Sequence, residues 1–324
     1  MSNFPSPVCI LLTSLSSKLA LYQEVLRNAK LHYPNARVLG CDCDPNCQAA
    51  DMVDEFIQIP RLINLSDQKL LEICNKNGIT HVLPTSDSEL SFWAEKKEFL
   101  INNKIQTWVS DLSFVQNCSD KLNFFDFWSD SPVKAIPTFS DFPSAHCTNW
   151  VVKPRTGSGA REISINIATS LAKARLSESR EEMILQPFID GQEFTAEAWV
   201  SHSGKCYGPL LRWRDHVIRG ESHKSTVFRN PHWETLLRSV FLHHKGALGH
   251  CIAQVIVDSR GQLNLVEINA RVGGATPLAL RAGLHSIAWH LMEESGELHK
   301  IPEVPAIMEG MILQKTNGQV AFFS

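Results

Sequence analysis

Residues 252–271 read IAQVIVDSRGQLNLVEINAR, and this stretch decides how the second half of the chain folds. Two apolar runs flank the turn sequence Asp258-Ser-Arg-Gly, a pattern that predicts an antiparallel hairpin. If Asp258 pairs with Leu263, Gln254 lies directly opposite Glu267. The hairpin then brings a carboxamide and a carboxylate together from two neighbouring strands.

Asn269 lies two residues beyond Glu267 and therefore shares its face of the strand. In a regular strand Leu263 and Leu265 share that face too, where only core packing would be expected. Oxygen atoms from Gln254, Glu267 and Asn269 are the hard ligands that Mg²⁺ prefers beside phosphates. We expect a metal site here; the alternative is a half-exposed strand end whose polar side chains contact water.

A glycine-rich turn gives a candidate phosphate site. A predicted strand ends at Lys153, and the turn that follows contains Gly157, Ser158 and Gly159, whose backbone N–H groups could surround phosphate oxygens. The alternative is an ordinary hairpin turn with a solvated lysine. Arg271, two residues after Asn269, supplies a further cation that could bind phosphate.

The segment Leu185–Glu193 ends one strand, turns and begins another with a carboxylate. Such a connection can hold an adenine edge by backbone groups and a ribose by Glu193. Taken alone, it is more consistent with a plain turn.

The first third of the chain alternates short apolar strands with helical patterns, which predicts parallel βαβ units in a doubly wound sheet. No strand there is followed by a GxGxxG or Walker sequence, which argues against an NAD-dependent oxidoreductase and a nucleotide site in this part. From about Asp120 the elements are mostly antiparallel. We therefore expect an α/β fold with an α+β C-terminal half, and a hairpin around Asn317-Gly318 at the end.

Composition narrows the function classes. The 324 residues carry a net charge of −3, so a nucleic-acid binder that relies on a strong positive field is not expected. No apolar run reaches the roughly 18 residues of a membrane span, and the N-terminus lacks a secretory pattern, so we expect a cytoplasmic protein.

Two groups of potential metal ligands are not expected to form sites. The three thiols of residues 41–47 lack a fourth zinc ligand, so a reduced loop is predicted. His243 and His244 are adjacent in a predicted helix over residues 234–248, where their side chains would diverge.

Four segments, taken in order, resemble the ATP-grasp superfamily, in particular the carbamoyl-phosphate-synthase-like ligases. They are Asp120-Lys121, Lys153-Pro154 with its glycine turn, Gln186 to Glu193, and Glu267-Ile-Asn-Ala-Arg271. His216 to Ser222 also resembles the phosphate-side segment of that group. Any one motif is weak, whereas four in the family's order are specific.

The resemblance implies a preATP-grasp domain over residues 1–118, an ATP-grasp lid over 119–190 and an antiparallel-sheet core subdomain over 191–324. It implies ATP and Mg²⁺, with Mn²⁺ as a substitute, as cofactors. The residues implicated in binding fall into three groups. Lys121, Lys153, Gly157, Ser158 and Gly159 would contact phosphates; Gln186, Pro187, Phe188 and Glu193 would hold adenosine; Gln254, Glu267 and Asn269 would bind the metal.

The implied activity is a ligase that joins a small-molecule carboxylate, such as an amino acid, to an amine through an acyl phosphate. Arg271 and Lys153 would be the catalytic cations, and a homodimer is compatible with the resemblance. Ala270 replaces the proline that the family often has, and the chain has a single ATP-grasp unit, so carbamoyl phosphate synthesis is not expected. The alternative is a non-catalytic nucleotide-binding or regulatory protein on the same fold.

Substrate selection is expected from residues 85–87, 212–219 and 273–281. Within the last range Arg281 lies in a predicted helix over residues 277–291, where it is a candidate carboxylate clamp or else a solvated residue.

Overall fold

The computed structural model describes residues 7–144, 147–157, 159, 161–316 and 318–324. Their secondary structure forms three sheets. No helix within those ranges is long and apolar enough to span a membrane.

The N-terminal part is a parallel five-stranded sheet covered by helices, as the alternating pattern predicted. The strand order β3-β2-β1-β4-β5 reverses between β1 and β4. The elements are β1 (Cys9–Leu12), α1 (Leu19–Lys30), β2 (Arg37–Asp42), β3 (Phe56–Gln58), α2 (Asp67–Asn77), β4 (His81–Leu83), α3 (Asp87–Asn102) and β5 (Gln106–Thr107).

Local signals explain the helix ends in this part. The Ser66 hydroxyl accepts the Lys69 N–H at the start of α2, and Gly78 ends the helix with φ +66°. Helix α3 begins with a capping box in which the Glu89 carboxylate accepts the N–H groups of Thr85 and Ser86. The loops after β1 and β4 separate where the strand order reverses, and such a crevice commonly binds ligands in α/β sheets.

Two helices and a small antiparallel sheet follow. The predicted boundary after residue 118 falls in the last turn of α4. The elements are α4 (Leu112–Ser119), α5 (Lys121–Trp128), β6 (Asn149–Pro154), β7 (Ser164–Ala168), α6 (Thr169–Glu178) and β8 (Met183–Pro187), with strand order β7-β6-β8.

The C-terminal part is a seven-stranded antiparallel sheet of order β13-β12-β9-β10-β11-β14-β15. Its elements are β9 (Gly191–Val200), β10 (Cys206–Ile218), β11 (Glu221–Phe228), α7 (Pro231–His243), β12 (Gly249–Asp258), β13 (Leu263–Asn269), α8 (Thr276–Arg281), α9 (Ser286–Glu294), β14 (Ile312–Thr316) and β15 (Gln319–Phe323). The α/β prediction with an antiparallel C-terminal half is confirmed. In the predicted terminal turn, Gly318 is described and Asn317 lies outside the described residues.

The two faces of the large sheet have different neighbours. One face packs against α5 and α7 in a core that includes Trp128, Phe194 and Phe241. The N-terminal part attaches through α1, which packs against α8 and α9. The opposite face, near β13, β12 and β9, is free to line a cleft.

Two helix predictions were wrong in extent. The predicted helix over residues 277–291 is interrupted, because Gly283 adopts φ +114° and a Cβ there would lie 2.3 Å from the Ala306 carbonyl oxygen. The predicted helix over 234–248 ends at His243, and His244 is extended.

Candidate active site

A cleft of about 750 Å³ lies where the three sheets meet. Its lining includes the loops after β1 and β4, the glycine-rich turn after β6, and polar side chains of the large sheet. The predicted residues in this lining are Lys121, Lys153, Gly157, Gly159, Glu193, Gln254, Glu267, Asn269 and Arg271. The structure therefore brings the phosphate and metal candidates into one cavity.

The three metal candidates lie next to one another, as predicted. Gln254 lies opposite Glu267 in the register, and the Asn269 amide donates a hydrogen bond of 3.0 Å to Glu267 Oε1. The predicted pairing at the turn is wrong, because Leu263 pairs with Val257 and not with Asp258.

A β-bulge at Val266 shifts the register of β12 and β13 by one residue between the turn and the Gln254–Glu267 pair. Val255 pairs with Leu265 and Gln254 with Glu267, so Val266 has no partner on β12. A one-residue bulge reverses the faces of all later side chains. Leu265 therefore remains in the core while Glu267 turns toward the cleft, which resolves the conflict in the regular-strand prediction.

Lys153 is the most buried cation in the predicted phosphate set, with 8% of its surface exposed. Its Nζ has no hydrogen bond or ion pair with any residue that the structure describes. Burial lowers the pKa of Lys153 to about 8, against the opposing charge of Glu267. An unpaired ammonium in such a position is suited to bind an anion.

Lys121 lies beside the glycine-rich turn. Its Nζ donates to the carbonyl oxygens of Arg155 and Gly157 at 3.3 and 3.2 Å, and burial lowers its pKa. Gly157 and Gly159 have φ values of +99° and +79°, which side-chain-bearing residues rarely adopt. Ser158 lies outside the described residues.

The four adenosine candidates do not share one cavity. Glu193 lines the cleft with Oε1 3.1 Å from Arg214 Nε, and burial raises its pKa. Gln186 is buried and donates to the Thr138 hydroxyl at 2.8 Å, while Phe188 lines a second cavity of about 710 Å³. Gln186, Pro187 and Phe188 are not among the described residues lining the main cleft.

Arg271 is fixed by the N-terminal part of the chain. Its Nε lies 2.7 Å from Asp87 Oδ1, and its Nη2 contacts Asp87 Oδ2. Burial would lower the pKa of Arg271, but the Asp87 charge raises it. The guanidinium thus remains charged beside the metal candidates.

Beneath the cleft, Glu197 is fully buried and joins three elements. It accepts hydrogen bonds from Arg212 at 2.5 Å, His250 at 2.8 Å and Thr276 at 2.7 Å. The Thr276 hydroxyl in turn accepts the Gly273 N–H at 2.8 Å. This network fixes Arg212, which lines the cleft, and the backbone that follows Arg271.

Sequence reasoning missed Glu197 and Lys18. Lys18 lines the cleft, and its Nζ donates to the Ser14 carbonyl at 2.6 Å. It follows β1 at the reversal of strand order, so the predicted parallel sheet could have identified it. Glu197 has no such signal, because it lies within an apolar strand. Arg281 is paired with Glu24 of α1 at 2.5 Å and is not in the described lining of the cleft.

Comparisons with known proteins agree with this architecture. A PylC-like N-terminal domain model matches residues 10–107, and an ATP-grasp domain model matches residues 118–275. A search of curated proteins finds no significant match.

Solved structures resemble the whole chain in fold. N5-carboxyaminoimidazole synthetase from Staphylococcus aureus, complexed with ADP, has a TM-score of 0.73 at 14% identity, covering 98% of this chain and 84% of that one. A Campylobacter jejuni biotin carboxylase–β,γ-ATP complex gives 0.70 at 13%, covering 94% and 75%. The L-amino acid ligase from Bacillus licheniformis gives 0.67 at 13%, covering 96% and 79%.

Proposed function

Since this chain belongs to the ATP-grasp superfamily of ATP-dependent ligases, we propose that it joins a small-molecule carboxylate to an amine at the expense of ATP. The main supporting observation is that one cleft is lined by the metal candidates and the two catalytic cations: Glu267, Asn269, Gln254, Lys153 and Arg271. A carboxylate and two amide oxygens can hold a metal ion, and the metal and two cations can stabilise a transferred phosphoryl group.

Mg²⁺ is the proposed metal, with Mn²⁺ as a substitute, and Glu267, Asn269 and Gln254 would hold it. The side chains fit because all three present hard oxygen atoms on one face, with Glu267 supplying the charge. When bound, the metal would neutralise charge on the nucleotide phosphates.

The nucleotide would lie between residues 121–190 and the C-terminal half. Lys121, Lys153 and the turn with Gly157, Ser158 and Gly159 would contact its phosphates. Lys153 is only 8% exposed and its Nζ has no partner among the described residues, which supports this assignment. The small sheet would act as the lid.

Adenine is assigned to the connection between β8 and β9, at Gln186, Pro187 and Phe188, and ribose to Glu193. Two observations support the assignment. The connection joins the lid sheet to the large sheet, and Glu193 is the third residue of β9, the strand that crosses the cleft floor.

In the proposed reaction, an oxygen of the substrate carboxylate attacks the γ-phosphorus of ATP, and the bond to ADP breaks. The amine then attacks the acyl carbon, loses a proton and expels inorganic phosphate. Lys153 and Arg271 would stabilise the charge that develops on the transferred phosphoryl group. Asp87 would keep the Arg271 guanidinium in a fixed orientation.

The test is phosphate release from Mg-ATP with pooled amino acids and other carboxylates, followed by mass spectrometry of the product. Glu267→Gln should lower turnover on the order of a hundredfold or more. Asp258→Asn, whose carboxylate accepts turn N–H groups away from the cleft, should leave turnover near normal.

The alternative is a non-catalytic nucleotide-binding protein. Tight Mg-ATP binding without substrate-dependent phosphate release across a broad screen would favour it. If turnover survives in Glu267→Gln and disappears in Asp258→Asn, the assignment of Glu267 as a metal ligand is contradicted.

A further inference from the structure

A second group of potential metal ligands lies on the opposite side of the large sheet from the cleft. The ends of α5 and α7 meet there, and the core between them includes Trp128 and Phe241. Asp130 and a ring nitrogen from each of His243 and His244 lie within 4.8 Å of one another. None of these three residues is in the cleft lining.

The two histidines converge because the helix ends between them. His243 is the last residue of α7, whereas His244 is extended, with φ −116° and ψ 147°. The imidazole of His244 stacks on Phe127 at a centroid distance of 3.5 Å. The two imidazole centroids are therefore 4.5 Å apart, and the divergence predicted for a continuous helix does not occur.

Contacts to α5 and the residues after it complete the group. His243 Nε2 lies 2.9 Å from Asp130 Oδ1, and His244 Nε2 is hydrogen-bonded to the Phe127 carbonyl oxygen. Three candidate ligand atoms thus lie together, two imidazole nitrogens and one carboxylate oxygen, and the Phe127 carbonyl lies beside His244. They belong to the ends of two helices that are more than a hundred residues apart in the chain.

We propose that Asp130, His243 and His244 bind one zinc-class divalent ion. Two imidazoles and a carboxylate are a borderline ligand set, which prefers Zn²⁺ and its transition-metal neighbours to Mg²⁺. Tetrahedral zinc with bonds of about 2.0–2.2 Å needs its ligand atoms roughly 3.3–3.5 Å apart. The His243–Asp130 pair is already near that spacing, and the third ligand needs only a small side-chain movement.

The bound ion would clamp the end of α5 to the end of α7. Helix α5 begins with Lys121 at the cleft, so the clamp would support that helix from its far end. Because the ligands are outside the cleft, zinc binding does not depend on the proposed ligase activity.

The experiment is calorimetric titration of Zn²⁺ into chelator-treated, tag-free protein that carries Cys43→Ser. That background removes an exposed thiol that would also bind zinc. A large excess of Mg²⁺ is present to occupy oxygen-rich sites. One equivalent of zinc is expected to bind and to raise the thermal midpoint of unfolding.

A direct ligand is removed in each of three variants, His243→Ala, His244→Ala and Asp130→Asn. Losing a residue that only supports a ligand typically weakens metal binding by about tenfold to hundredfold, so each of these variants should weaken zinc binding by more than that. His232→Ala, at the exposed start of α7, is the matched control and should bind normally. Asp130 is 79% exposed, so Asp130→Asn tests the site even if a histidine variant fails to fold. The proposal is overturned if no equivalent binds, if Asp130→Asn binds normally, or if His232→Ala loses as much affinity.

Discussion

The guanidinium of Arg271 is held by the carboxylate of Asp87, with Arg271 Nε 2.7 Å from Asp87 Oδ1. Arg271 lies two residues beyond the end of β13, the strand that carries the metal candidates Glu267 and Asn269. Asp87 is the first residue of α3. The two side chains are 17% and 23% exposed, so the pair is partly shielded from water. The N-terminal sheet thereby orients a cation of the cleft.

Asp87→Asn should reduce turnover on the order of tenfold to a hundredfold, because a misplaced cation loses transition-state contacts. Steady-state kinetics should show the loss in kcat more than in the KM for ATP. Asp67→Asn is the control, since Asp67 also begins a helix but pairs with Lys96 on the surface. Equal losses in both variants would show that Asp87 acts only through helix stability.

Deletion of Val266 should leave Glu267 facing the cleft, because Leu265 and Glu267 then become consecutive residues of a regular strand and still point to opposite faces. Mg²⁺-dependent nucleotide binding, measured by calorimetry, should therefore survive in the deletion variant. Glu267→Gln is the comparison, because it keeps the residue count and should lose this dependence on Mg²⁺. A folded deletion variant without Mg²⁺-dependent binding would show that the metal site needs the bulge itself.

Nucleotide binding should take up a proton at Lys153. Burial lowers the pKa of this lysine to about 8, so about half of the molecules carry a neutral amine at pH 8 and nearly all do at pH 9. Phosphate contact favours the charged form, so the affinity should fall as the pH rises above 8. Calorimetry in buffers of different ionisation enthalpy should show about half a proton taken up at pH 8 and nearly one at pH 9.

Lys153→Arg is the control for that proton, because arginine remains charged throughout this range. The variant should bind nucleotide with no proton uptake between pH 8 and pH 9. If the uptake is unchanged in Lys153→Arg, another group is responsible.

Glu197→Gln should lower the free energy of unfolding by about 3–5 kcal/mol, because it leaves the Arg212 charge buried without its partner. Glu55→Gln, which breaks the exposed pair with Arg37, should cost only about 0–1 kcal/mol. Urea denaturation monitored by circular dichroism measures both. A loss for Glu197→Gln no larger than that for Glu55→Gln would show that the buried network contributes little.

The low pKa of Glu197 predicts that the folded state loses stability in acid. Burial would raise its pKa, but Arg212 and the bonds from His250 and Thr276 lower it to about 2 from 4.5. Because the folded-state pKa is lower than the unfolded one, the stabilising contribution is present above pH 4.5. It is lost as the pH falls through about 2, and Glu197→Gln should lack this part of the acid transition.

The sequence by itself determined the element types and the order of the sheets along the chain. The predicted pairing of Gln254 with Glu267 is right only because the bulge at Val266 offsets the one-residue error at the turn. Hydrophobic periodicity, Ser66 and Gly78 at helix ends, and the ordered motifs are all local signals, so no knowledge of distant contacts was needed. The resemblance to the ATP-grasp superfamily depended on the same local motifs, and the two domain models confirm it.

Only the tertiary structure decided which way the critical side chains point. The bulge at Val266 sets the face of Glu267, the end of α7 brings His243 and His244 together, and Arg271 is oriented by Asp87, 184 residues away. A local pattern fixes the period of a strand or helix. The register, the point of termination and the distant partner follow from how the elements pack, which no short window of sequence contains.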